Sequence, residues 1–138
     1  MLKDAHSQYK ETQVLTASQG QLIVMLYDGA IKFIKNALSC IKDRKKYDQV
    51  NEYLIRAQDI ITELMLSLDF EAGGEMADKL YSLYLYFNKQ LIDGNIRKDE
   101  NPLKEVVGYL ESLRSSWAQI ANQNNEVNKK QLGVNIST

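Results

Sequence analysis

A chain of 138 residues has room for one domain with one buried core. Its apolar fraction is ordinary for a globular protein, and 17 basic against 18 acidic side chains leave a net charge of −1; this excludes wholesale disorder and any strong steering field for nucleic acid or anionic lipid. The lone cysteine, Cys40, excludes an internal disulfide and fits a reducing compartment.

The N-terminal MLKDAHSQYK is polar and has no signal-peptide core. Residues 1–15 read as a loose arm, with Tyr9, Val14 and Leu15 as anchors. A bundle is expected over residues 16–122. Its first helix starts near Ser18, which forms an S-x-x-Q capping box with Gln21. It runs to about Asp43, where Arg44, Lys45 and Lys46 suit the negative end of the helix dipole. The longest apolar run, Leu22 to Tyr27, falls far short of the roughly 20 residues a membrane span needs. No membrane insertion is expected, and the cytoplasm is the expected location.

The second helix begins near Asp48, and Val50, Leu54, Ala57, Ile61, Leu64 and Leu68 repeat with the spacing of a bundle seam. Gly73 and Gly74 are expected to turn the chain. The third helix runs from about Glu75 to Gly94-Asn95, with Met76, Leu80, Leu83, Phe87 and Leu91 as its seam. The fourth takes Asn101 as N-cap and Pro102, the sole proline, at its first position. Leu103, Val106, Val107, Leu110, Leu113, Trp117 and Ile120 line one side. Residues 123–138, rich in Asn and Gln, read as a disordered polar tail. Four amphipathic helices with short connections predict an all-α antiparallel four-helix bundle; the alternative is that two chains pair, a homodimer completing the bundle.

Enzyme chemistry fails on inventory. His6 is the only histidine and lies in the arm, so di-iron, haem and zinc sites lack their ligands; no metal and no cofactor is expected. Cys40 reads as a small core residue. Asp69 and Glu71 read as loop charges; a hydrolase with a recruited metal is the weakest reading. The basic runs Arg44-Lys45-Lys46 and Lys129-Lys130 lack interleaved aromatics and read as solvated ends, with no nucleic acid bound.

What the chain has in excess is apolar surface. A bundle helix needs a stripe little over 100° wide. At about 100° per residue, the first helix carries one band of Leu22, Met25, Leu26, Gly29, Ala30, Phe33 and Ala37 and a second of Ile23, Tyr27, Ile31, Ile34, Leu38 and Ile41, together roughly 240°. Either this helix is central, or part of the arc binds a partner. Gly29 points to a neighbour close to the backbone. The third helix adds a second band of Ala77, Tyr81, Leu85, Asn88 and Ile92 to its seam, and Ile55 and Leu66 lie off the seam of the second. Tyr81, Tyr84 and Tyr86 crowd one helix, a residue type suited to a binding rim. A contiguous apolar band marks an interaction site more than scattered residues do.

The runs LTASQGQLIVMLYDGAIKFIKNA (Leu15 to Ala37), RAQDIITELMLSLDFEAGGEMADKLYSLYLYF (Arg56 to Phe87) and NPLKEVVGYLESLRSSW (Asn101 to Trp117) resemble the flagellin-specific secretion chaperones over roughly residues 9–121. The combination of LYDGA, LD-x-E-x-GGE-x-A and the LY-x-Y repeat carries the likeness. Gln19 departs from it, standing where the family usually has proline. The resemblance implies a cytoplasmic four-helix bundle that binds the C-terminal segment of flagellin, prevents premature polymerisation and brings the subunit to the flagellar export gate as a complex. It also implies that the arm, through Tyr9 at the position of the family's arm tyrosine, packs on the bundle and occupies part of the partner's groove when the groove is empty. The expected binding residues are then Tyr81, Leu85, Asn88, Ile92, Ile55 and Leu66, with Tyr27, Ile31 and Tyr9 as neighbours. A self-associating structural four-helix module is the alternative.

Overall fold

The computed structural model describes the backbone of residues 19–131 and the side chains of residues 19–122. Four amphipathic segments, each with a seam too apolar for water, form four helices: α1 (Gln19–Cys40), α2 (Tyr47–Leu66), α3 (Phe70–Arg97) and α4 (Glu100–Gln131). A 3-10 turn, Arg44–Lys46, links α1 to α2 and is capped by the Asp43 carboxylate, which accepts from the Lys45 N–H. The described residues contain no strand, and the fold is an all-α four-helix bundle.

The described residues divide into two compact units, residues 26–112 and residues 19–25 with 113–131. The first holds parts of all four helices. On α1 and α2, Phe33 stacks on Tyr53 with ring centroids 6.4 Å apart. A Cβ at Gly29 would lie 3.1 Å from the Ile60 Cδ1, so this glycine admits a neighbouring helix, as its place in α1 suggested. On α2 and α3, Asn95 donates to Asn51 at 2.8 Å. Phe87 and Tyr109 join α3 to α4, and Lys35 pairs with Glu111 at 3.3 Å. Sequence neighbours run antiparallel in every case. Across the diagonal, α1 and α3 meet at a buried hydrogen bond between the Tyr27 and Tyr84 hydroxyls. In the second unit a Cβ at Gly20 would come within 2.9 Å of the Ala121 Cβ and 3.1 Å of its Cα, so the backbones of α1 and α4 touch there.

The α2 seam is buried at Val50, Leu54, Ala57, Ile61 and Leu64, while Leu68 lies half-buried beyond the helix. On α1 most of the apolar arc is core. The second band supplies most of the core, through Ile23, Tyr27, Ile31, Ile34 and Ile41 with Ala30 and Ala37, whereas Met25 is exposed. Tyr27 and Ile31 are therefore corrected from surface neighbours to core. On α3 the buried line is Ala77, Leu80, Tyr84, Phe87 and Leu91. Tyr84 is corrected likewise: its ring is interior because Tyr27 satisfies its hydroxyl. Met76, expected in the seam, is exposed, and Leu83 is half-buried. On α4, Ile120 is exposed rather than in line with Leu103, Val106 and Leu110.

Three boundaries also move. Helix α3 begins before the glycine pair, because the Asp69 carboxylate accepts from the N–H groups of Glu71 and Ala72. Gly74 then interrupts it, with φ 50 and ψ −124. Helix α4 is capped by Asp99, which accepts from the Asn101 N–H at 3.0 Å; Pro102 falls at the third position, still among the N–H groups a helix leaves unpaired. Finally, α4 runs to Gln131, so the backbone of residues 123–131 is helical where a disordered tail was expected. Gln, Glu and Lys extend a nucleated helix at little cost, and no Gly or Pro stands between Tyr109 and Gln131. Residues 132–138, the arm and the Ser18 cap lie outside the described residues.

Gly74 gives a direct test of this geometry. Its backbone is one that side chains other than glycine rarely adopt, and a Cβ there would meet nothing within 4 Å. Gly74→Ala is expected to lower stability in urea denaturation by about 1–3 kcal/mol through strain alone. Gly108→Ala, in an exposed helical position with equally open surroundings, should raise it by up to about 1 kcal/mol. Equal signs for the two substitutions would remove the interruption from α3.

Candidate functional site

Helix α3 buries one side, and 4-3-4 spacing places Tyr81, Leu85, Asn88 and Ile92 along the next strip. Tyr81 is 41% exposed, Leu85 47% and Ile92 45%, while Asn88 is half-buried. On α2, Ile55 and Leu66 are exposed and share a face with Asn51 and Thr62 at helical spacing. Two side-chain hydrogen bonds attach that face to α3: Asn95 to Asn51, and Asn88 Nδ2 to Thr62 Oγ1 at 3.4 Å. Ile55 and Ile92 fall between these bonds. Tyr81, Leu85 and Leu66 continue beyond the second. The expected residues of the two helices therefore form one face on adjacent antiparallel helices.

Phe70 extends this face and was missed in the sequence. Its ring meets Tyr81 edge-on, with centroids 5.9 Å apart, and it is exposed. It sits in the LDFEAGG segment, where a turn was expected; the signal was a large aromatic just after a good N-cap. Tyr27 and Ile31 are not part of the face, being buried. Tyr9 lies outside the described residues.

A second aromatic group lies on α3 and α4, where exposed Tyr86 donates its hydroxyl to the Glu105 carboxylate beside exposed Tyr109. That bond to Glu105, with a smaller effect of burial, raises the Tyr86 hydroxyl above the ordinary tyrosine value. Burial raises Tyr84 too, with the hydrogen bond to Tyr27 acting in the opposite direction. Both hydroxyls thus stay protonated at neutral pH and serve as hydrogen-bond groups, not bases. Among the described residues, no three His, Cys, Asp or Glu side chains gather as metal ligands, and no helix is long and apolar enough to cross a membrane. Asp69, the one carboxylate considered for hydrolysis whose role is visible, is spent capping α3. What the α2–α3 face offers is apolar area with a few polar groups at its seam, the composition of a helix-docking groove.

The family described as Flagellar protein FliS matches residues 1–124. Among similar proteins, the flagellar secretion chaperone FliS of Bacillus subtilis is 35% identical over 118 residues, covering 86% of each chain. The flagellar secretion chaperone FliS of Salmonella typhimurium is 37% identical over 112 residues, covering 80% of this chain and 82% of its own. That of Escherichia coli is 31% identical over 110 residues, covering 79% of this chain and 80% of its own.

Proposed function

This chain belongs to the FliS family of flagellar secretion chaperones, not to an enzyme family, and from that premise we propose that it binds the C-terminal segment of flagellin on the α2–α3 face. Occupying that segment keeps the subunit from polymerising early, and the complex is what reaches the flagellar export gate. The cytoplasm, where flagellin is made, is the place of action.

One observation carries the assignment of the face: Tyr81, Leu85, Ile92, Ile55 and Leu66 are exposed although α2 and α3 each already bury a full line of residues without them. A filament subunit's terminal segment is amphipathic and needs an apolar groove of matching length. A segment disordered when free pays ordering entropy on binding, so the contact has to be broad. A row of apolar side chains on two adjacent helices meets that need.

Titration calorimetry with light scattering tests the reading. Adding the flagellin C-terminal segment is expected to release heat that saturates, and the scattering mass should rise by the mass of bound segment. A mass that doubles with protein concentration, with no heat on adding the segment, would instead favour the self-associating module.

A further inference from the structure

Among the described residues, one buried side-chain polar atom lacks a hydrogen-bond partner: the Asn88 Oδ1. It lies in the middle of the α3 strip, between Leu85 and Ile92. The amide nitrogen donates to Thr62 Oγ1, and that hydroxyl donates onward to the Gln58 carbonyl at 2.9 Å. The Thr62 proton is thus committed. Turning the Asn88 amide over would set its oxygen against the Thr62 oxygen and lose the one bond it has.

An orphan of this kind is unfavourable in a resting fold, since the carbonyl has left water without gaining a donor. Leucine at position 88 would complete an apolar strip with Leu85 and Ile92 and carry no such penalty. The Nδ2–Thr62 bond is also long, so little holds the amide where it is. Asn88 is only half-buried as a residue, so a change of side-chain rotamer is the movement that would carry its head group outward.

We propose that Asn88 is the polar recognition point of the α2–α3 face: when a segment docks, the Asn88 amide turns outward and its carbonyl accepts a hydrogen bond from a donor on that segment. The inference rests on the docking reading above. The donor is a side-chain amide or hydroxyl, or a backbone N–H free of helical pairing. Backbone N–H groups inside a docked helix are already paired and do not qualify. The apolar rows give affinity, and Asn88 sets register, because a segment shifted along the groove places carbon against the carbonyl and leaves it unpaired. Discrimination by an unpaired buried polar group is sharper than discrimination by a missing methylene.

The test uses the full chain and a synthetic flagellin C-terminal segment, with Asn88→Leu and Asn88→Ala beside the wild type. Asn88→Leu is expected to raise the melting temperature of the free protein by a few degrees. Both variants are expected to bind the segment about tenfold more weakly, equivalent to about 1.4 kcal/mol, and with less heat. In the wild type, the Asn88 side-chain amide resonances should shift on binding more than those of Asn95. If Asn88→Leu binds as tightly as the wild type, Asn88 is a tolerated defect and the proposal fails while the docking face stands. Should Asn88→Leu fold poorly, Asn88→Ala at wild-type affinity overturns the proposal in the same way. A folded wild type that does not bind the segment at all ends the docking reading, and this inference with it.

Discussion

Leu85→Ala is expected to weaken binding of the flagellin C-terminal segment about thirtyfold while leaving the melting temperature of the free protein nearly unchanged. Leu85 is 47% exposed on the strip between Tyr81 and Asn88, so its removal opens no sealed cavity. Substitutions at such positions usually change stability by no more than about 0.5 kcal/mol. On the proposed reading Leu85 stands near the centre of the docked segment's contact, and truncating a central hot spot costs at least about 2 kcal/mol of affinity; at 1.4 kcal/mol per tenfold, that is about thirtyfold. Leu80→Ala is the matched opposite. Leu80 is on the same helix but only 8% exposed, and truncating it should cost about 2–5 kcal/mol of stability. Calorimetry on both variants, free and with the segment, separates the two roles. If Leu85→Ala destabilises the free protein as much as Leu80→Ala and binds normally, the α3 strip is core and the docking face lies elsewhere.

The same pair shows what periodicity reveals and where it stops. On α2 the polar residues are dense enough that only one arc can be buried, and Val50, Leu54, Ala57, Ile61 and Leu64 were legible as that arc. On α3, the strip of Tyr81, Leu85 and Ile92 was legible as surplus. On α1 apolar residues cover most of the circumference, so period alone cannot choose between two bands. The choice is made by a residue 57 positions away: the Tyr84 hydroxyl pairs with that of Tyr27, and the pair draws both rings inside. No local pattern holds that information, which is why Tyr27 and Ile31 were placed at the rim and Tyr84 was grouped with exposed Tyr81 and Tyr86. The position of Asn88 was legible, but its orphan oxygen was not. That depends on Thr62 having already given its proton to Gln58. Met76 keeps the seam's spacing with Leu80 but stands in the first turn after the Gly74 interruption, where Ala77 takes the buried place and Met76 is left exposed.

Phe87→Ala is expected to be among the most damaging single truncations in the Leu26–Ser112 unit. Phe87 has no exposed surface and touches three aromatic rings: Tyr84, Tyr86 and Tyr109, at centroid distances of 6.3, 6.5 and 5.8 Å. Those rings come from its own helix and from α4, so the loss reaches both. Removing a buried phenyl ring ordinarily costs about 3–5 kcal/mol, from lost transfer energy and from the cavity left behind. Here the cavity has little means of closing. Tyr84 is tied to Tyr27, and Tyr86 is tied to Glu105, so neither ring can move into the gap without breaking a hydrogen bond. The cost should therefore fall at the upper end of that range, and the melting temperature should drop by more than about 10 °C. Phe87→Leu, which refills most of the volume, should recover more than half of the loss. Thermal unfolding followed by circular dichroism reads both variants. A Phe87→Ala protein melting within a few degrees of the wild type would mean that Phe87 is not held between α3 and α4, and the fourfold helix arrangement around it would have to be redrawn.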